Sequence, residues 1–332
     1  MIHITNSIFK AMITCPAAAM AQYEGRIKGD PSIVPSYTMD STQAMAAGSL
    51  VDAIITRGYQ ADENDKSIKV DDFYAWLKSS YDDGQKNASL LVNKSGGWNA
   101  VAKKAINAAN RLLEDSVVKD CLTIAETQVR ISFLLDEETM FEGDIDILNL
   151  TENKTLQIID LKSPGAMQEG WMVSGGKNVK VSWQESWAYW FQLSGYRYAF
   201  QSARSNALVN GKPLADTKYA DAFAIDTGLL YTTREDVPAV GYIPIADYAD
   251  VWRKIVKGRR VNGEISNLEA IKRIVSGEIK APRCNAPTCN YCKAGMTVKF
   301  APSSALDEEL PCIDDIYDFI NIAEDDVYAN EY

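Results

Sequence analysis

No run in the chain approaches the ~18 or more consecutive apolar residues of a membrane span, and the opening MIHITNSIFK lacks the apolar stretch of a secretory signal. Cysteine is scarce, with six in 332 residues, too few for a disulfide scaffold of this length. Positive charge is not in surplus either. The formal net charge is −11, which excludes a coat of basic surface but leaves room for a local basic groove. Histidine occurs once, as His3, and reads as a terminal residue rather than a ligand. Repeats and low-complexity segments are absent. What is present, 46% hydrophobic and 24% charged residues, is an ordinary soluble composition with enough apolar material for a sizeable core. The expectation is a cytoplasmic protein with no membrane partner.

Local patterns divide the chain. Thr5 to Ser7 can cap a short helix that ends before Cys15-Pro16, and QAMAAGSLVDAIITRG reads as a helix stopped by Gly58. Two further helices fit VDDFYAWLKSSY and WNAVAKKAINAANRLLEDSV, so the first third is mostly helical. From Glu126 the period changes to two: Val129, Ile131 and Phe133 alternate with Gln128, Arg130 and Ser132, as in a strand. MFEGDIDILNL continues as a second strand, TENKT closes a hairpin, and LQIIDLK forms a third. A long aromatic helix, WQESWAYWFQLSGYRYAFQSAR, follows a glycine- and lysine-bearing loop, and KYADAFAIDTGLLYTTRED offers another strand or two.

Residues i and i+2 of a strand face the same way, so Asp160 and Lys162 project together, about 7 Å apart. In the preceding strand Glu142, Asp144 and Asp146 share a face by the same rule, and the hairpin brings that face beside Asp160. Carboxylates on adjacent strands repel one another unless a cation lies between them, and hard oxygen ligands suit Mg²⁺ or Mn²⁺. With a lysine alongside, these are the parts needed for phosphodiester hydrolysis. The plain alternative is a solvent-facing hairpin whose lysine pairs across the strands.

GDIDILNL followed by LQIIDLKS resembles the PD-(D/E)xK nuclease superfamily, in which a Gly-x-x-Asp strand end precedes a strand ending Asp-x-Lys. The matching positions are Gly143 to Asp146, then Asp160 and Lys162. Gln192 and Tyr196 in QLSGY resemble the Gln-x-x-x-Tyr motif of the RecB-like exonuclease branch, and at i, i+4 they share one helix face. That branch usually carries a glycine followed four residues later by a histidine ligand. In GSLVDA, Asp52 stands at the histidine's position. Aspartate is itself a good Mg²⁺ ligand, although a polar position on an apolar helix explains Asp52 equally. Glu126, at the start of the first strand, resembles an acidic residue of the outer metal shell. Asp144 rivals Asp146, with the Gly-x-x-Asp spacing favouring Asp146. The resemblance covers four motif blocks between Gly48 and Tyr196.

Cys284, Cys289 and Cys292 stand at C-x4-C-x2-C, a spacing that suits zinc or an iron–sulfur cluster once a fourth ligand is found. Cys15, in CPAAA, is similar to the N-terminal cysteine of RecB-like nucleases such as AddB and the CRISPR-associated adaptation exonucleases, where one early and three late cysteines hold a [4Fe–4S] cluster. The spacing here departs from theirs, and Cys312 in place of Cys15 would give a local Zn²⁺ site. Cys121 reads as a small core residue. Trp171, Lys177, Lys180 and Trp183, in the loop after the Asp-x-Lys strand, could meet phosphates and stack on bases, while Trp187 and Trp190 read as helix packing. Arg253, Lys254, Lys257, Arg259 and Arg260 form the densest basic run, a DNA track or a solvated helix face.

Together the expectation is a restriction-endonuclease-like α/β core: a central mixed sheet flanked by helices, within one nuclease domain over 1–300. A helical insertion is expected near 59–122, core motifs over 126–204, cysteines at 284–292 and an acidic tail over 301–332. The resemblance implies a metal-dependent DNA exonuclease of recombination, repair or phage DNA processing, in a bacterial or phage-infected cell. The opening segment also resembles RecE-type phage and prophage exonucleases. An annealing or single-stranded-DNA-binding protein is a candidate partner for the acidic tail. Two other readings stay open: a catalytically silent DNA-binding or assembly module, and a structural metal-binding interaction protein.

Overall fold

The computed structural model of the chain describes residues 1–17, 19–20, 23, 48, 50–55, 97–116, 118–120, 125–164, 170–174, 177–181, 187–258 and 265–281. Strand β1 (Ile2–Thr5) runs straight into helix α1 (Asn6–Thr14). The Thr5 hydroxyl accepts the Ile8 N–H at 3.2 Å, so the expected cap is in place. Residues 48 and 50–55 are helical, and α2 (Gly97–Glu114) follows. The expected helix at VDDFYAWLKSSY lies outside the described residues.

The alternating segments become β2 (Glu126–Leu134), β3 (Thr139–Leu150) and β4 (Thr155–Lys162). A two-stranded ribbon, β5 (Gly170–Ser174) and β6 (Lys177–Val181), precedes α3 (Trp187–Gln201), the aromatic helix. Short β7 (Leu208–Val209) and β8 (Lys212–Pro213) lead to β9 (Ala224–Thr232), β10 (Val240–Ile245), α4 (Ala249–Lys257) and α5 (Asn267–Val275).

Among the described residues eight strands form one mixed sheet in the order β10-β9-β4-β3-β2-β7-β8, with β1 pairing β3. The β2–β3–β4 meander is antiparallel, whereas β4–β9 and β1–β3 are parallel. Helices cover both faces. On one, α1, α3, α4 and α5 bury Phe9, Phe191, Trp252 and Ile271 against Val129, Ile131, Phe133 and Phe141. On the other, α2 and the helical residues 50–55 pack Leu112, Ala108, Leu50 and Val51 on Ile147, Ile159 and Leu230. The architecture is the expected one, a mixed central sheet between helical layers.

Helix α3 is buried on nearly every side, which explains its all-round apolar sequence. Trp252 of α4 lies edge-on to Phe141, with ring centroids 5.3 Å apart. Gly195 makes the crossing possible, since a Cβ there would come within 2.9 Å of the Trp252 indole nitrogen. Trp190 is fully buried, in keeping with its reading as a packing residue.

Candidate active site

The long strand β3 is partnered along one edge by β2. Its other edge is shared. β1 takes residues 139–142 and β4 takes residues 147–150. Between them, Gly143 to Asp146 meet no strand on that edge, which opens a gap in the sheet at the motif. Tyr196 of α3 fills part of it. Its hydroxyl donates to the Asp144 carbonyl at 2.9 Å, and its ring lies so close to the strand that a Cβ on Gly143 would sit 2.8 Å from it. The glycine of Gly-x-x-Asp is therefore a seat for the tyrosine.

Asp146 does not share a face with Glu142 and Asp144, contrary to the simple alternation. Ile145 packs in the core on the α3 side, and Ile147 packs in the core on the opposite side, so the period of two slips at Asp146. The partner strand distorts at the same level. Thr127 pairs Ile147 and Val129 pairs Ile145, and Gln128 between them has φ 51°, a left-handed conformation that costs a non-glycine residue on the order of 1 kcal/mol. The slip turns the Asp146 carboxylate into the gap, where it accepts the Leu161 N–H at 2.7 Å. Glu142 and Asp144 stay outside, held by the Arg130 guanidinium at 3.0 Å each. His3 lies 3.5 Å from Glu142 on this outer side.

Asp160, buried, and Lys162, with 27% of its side chain exposed, form a close ion pair at the end of β4. Gln192 of α3 donates to the other Asp160 oxygen at 3.0 Å. The Lys162 ammonium also stands 5.6 Å from the centre of the Tyr189 ring. Burial would lower the Lys162 pKa, but the Asp160 and Asp146 carboxylates outweigh it and hold the ammonium above its ordinary value. Burial, then Asp160, pushes the Asp146 carboxyl up to about 8.

Asp52 reaches the site from the other face. Its pKa is raised, chiefly by burial, with Lys162 opposing and Asp160 adding to the rise. Its two carboxylate oxygens accept from the Gln128 amide at 3.0 and 3.3 Å. From the near face comes α1. Asn6 is buried and donates to the Gln192 carbonyl at 3.4 Å, Phe9 stacks on Phe191 at 5.4 Å, and Lys10 follows Asn6 by one helical turn. Lys10 is pulled down to about 8 by burial and by the neighbouring Lys162. Lys10, Tyr189, Asn6 and Gln128 form no part of the motif pattern. Helical spacing from Asn6 to Lys10 and from Tyr189 to Gln192 is the sequence signal for the helical ones, and Gln128, on β2, has none.

Other candidates lie elsewhere. The Glu126 carboxylate is paired with Lys218 at 2.8 Å and its charge acts on Tyr219. Trp171 pairs Lys180 in the β5–β6 ribbon, and Lys177 stands at the ribbon turn; Trp183 lies outside the described residues. On α4, Arg253 pairs with Asp250 at 3.5 Å, and Arg259 and Arg260 lie outside the described residues. Cys15, just after α1, is buried in the hydrophobic core. Cys121, Cys284, Cys289, Cys292 and Cys312 all lie outside the described residues.

Among the described residues no group of three or more His, Cys, Asp or Glu side chains is placed to hold a metal ion. The pair that does converge, Asp146 and Asp160, offers oxygen only. That donor set fits Mg²⁺ or Mn²⁺, which one or two carboxylates hold with waters and substrate phosphates completing the shell. It does not fit a structural zinc site, which needs four closed ligands.

Residues 5–211 match the family described as PDDEXK-like domain of unknown function, DUF3799, a span that takes in the gap and every side chain around it. The chain belongs to this PDDEXK-like family. A solved structure of a protein from Eubacterium rectale, named "Putative exonuclease", covers 91% of this chain and 91% of its own at 17% identity and TM-score 0.54, so the two share the PDDEXK-like fold. The solved structure of SSO0001 covers 62% of this chain and 80% of its own at 16% identity, with a TM-score of 0.26 that carries no inference. No curated protein matches the chain.

Proposed function

We propose that the protein is a Mg²⁺- or Mn²⁺-dependent deoxyribonuclease that works as an exonuclease on DNA ends, in recombination, repair or phage DNA processing. The observation that supports it most is the meeting of Asp146, Asp160 and Lys162 in a gap of the sheet, with Gln192 locking Asp160. Asp146 and Asp160 would hold the cation, which when bound supplies charge stabilisation to a phosphoryl oxygen and makes water more acidic. Lys162 is kept charged, so it serves as a donor: it orients the attacking water or supports negative charge as it develops. Gln192 fixes one oxygen of Asp160 and leaves the other to Lys162 or to the cation. Tyr196, buried and bonded to the Asp144 carbonyl, holds the β3 edge in register with these groups.

Linear duplex DNA labelled at the 5′ or the 3′ end, incubated with Mg²⁺ or Mn²⁺, is expected to release labelled nucleotide, and a chelator to stop it. Lys162→Ala should lower the rate by at least about 10²-fold while the fold persists by circular dichroism. Pure wild-type protein that cuts neither duplex nor single strands with either ion overturns the reading. It would favour a silent DNA-binding module, for which the aspartate in place of the motif histidine is the support.

A further inference from the structure

Gln128 carries two unusual features at one point. Its backbone takes a left-handed conformation that glutamine has no preference for, and its side-chain amide grips both oxygens of a carboxylate 76 positions earlier in the chain. The first feature sits opposite Asp146, at the level where β3 slips phase and turns that acid into the gap. The second fixes Asp52, the acid that arrives from the opposite helical layer. An exposed strand residue would ordinarily relax out of positive φ. Strain of this kind persists where the surroundings impose it, and it clusters at functional sites.

We infer that Gln128 is a positioning residue for the acidic centre: its strained backbone sets Asp146, and its amide holds Asp52 beside the Asp146–Asp160 pair. The inference rests on the reading of this centre as a divalent-cation site. Outer groups that orient the acids of such a site commonly change cation affinity by about 10–100-fold when removed.

Two substitutions separate this role from ordinary packing. Gln128→Asn keeps a residue that tolerates the left-handed region but shortens the arm by one methylene. Gln128→Gly removes the amide and adopts positive φ without strain. Both are tested by calorimetric titration of the purified full chain with Mn²⁺ and by thermal melting in the presence of a chelator. The expected result is metal-free melting at or above wild type in both variants, together with a fall in Mn²⁺ affinity of at least about tenfold. In an Asp52→Asn background, Gln128→Asn should add no further loss, because the amide has no charged partner left to hold. Unchanged Mn²⁺ affinity in both variants overturns the inference, and so do losses that simply add in the double variant. A wild-type chain that binds Mn²⁺ and loses it in the variants, yet never cuts DNA, sinks the nuclease reading and leaves the positioning role standing. Cleavage by wild type with unaltered Mn²⁺ affinity in the variants does the reverse.

Discussion

The raised pKa of Asp146 makes the stability of the metal-free protein and its stabilisation by a cation depend on pH in opposite directions. Its carboxyl is raised from the ordinary 3.8 to about 8 in the fold, so the folded chain binds this proton more tightly than the unfolded one. The contribution to stability is fully present below about pH 4 and is lost as pH rises towards about 8. Metal-free protein should therefore melt progressively lower across that window. A divalent cation favours the charged acid, so the rise in melting temperature on adding Mg²⁺ should grow with pH; an Mg²⁺ effect independent of pH would show that Asp146 is not a ligand. Lys10 gives a second residue-level outcome. It lies within electrostatic reach of both Lys162 and Asp160, where a phosphodiester would enter. Lys10→Met should weaken DNA binding measured with a non-hydrolysing ion such as Ca²⁺ by several-fold, leave Mn²⁺ affinity near wild type, and raise KM more than it lowers kcat.

At the scale of the element, the β3–α3 contact decides whether the site exists. Adding a methyl at Gly143 forces the Tyr196 ring off the strand, because the two would meet at 2.8 Å. Gly143→Ala should cost about 1–3 kcal/mol of stability through overpacking, read by urea unfolding, and activity should fall further than stability as Asp146 shifts. These elements were largely legible beforehand. Alternation marked β2, β3 and β4, the Thr5 cap marked α1, and the spacing of Asp160 and Lys162 put both on one face. β1 was not legible, since four residues, Ile2 to Thr5, are too few to show a period. Nor was the slip at Asp146. Alternation grouped it with Asp144 and Glu142, and no residue in TQVR announces a left-handed backbone at Gln128. Motif spacing favoured Asp146, the aspartate that turns into the gap beside Asp160, where periodicity could not separate it from Asp144. Register, once known, explains the rest: Arg130 stands directly opposite Asp144 and draws it away.

For the whole molecule, the cysteine clasp remains the proposal that would tie the early and late parts of the chain together. Protein carrying a [4Fe–4S] cluster and purified without oxygen should be brown, with iron and sulfide in equal amounts, and Cys15→Ala should bleach it. Colourless protein with one zinc per chain would assign the late cysteines, with Cys312, to a local site instead. A net charge of −11 also bears on substrate binding. On the proposed function, the cations placed beside the acids are Lys10 and Lys162, so DNA affinity should fall only gently with salt compared with proteins that cover many phosphates.

The divided edge of β3 has one more consequence, and it concerns time. Asp146, Asp160, Lys162 and Gln192 lie within fifty residues of one another along the chain, whereas β1 pairs with a strand more than a hundred residues away. Closing so long a loop costs entropy before the pairing repays it, so such a contact is expected to form slowly. A partly folded chain would thus hold its candidate catalytic groups together while the flank that α1 supplies is still undocked. Docking of the α1 flank would then be the last step in assembling the candidate site, a delay written into the order of the chain.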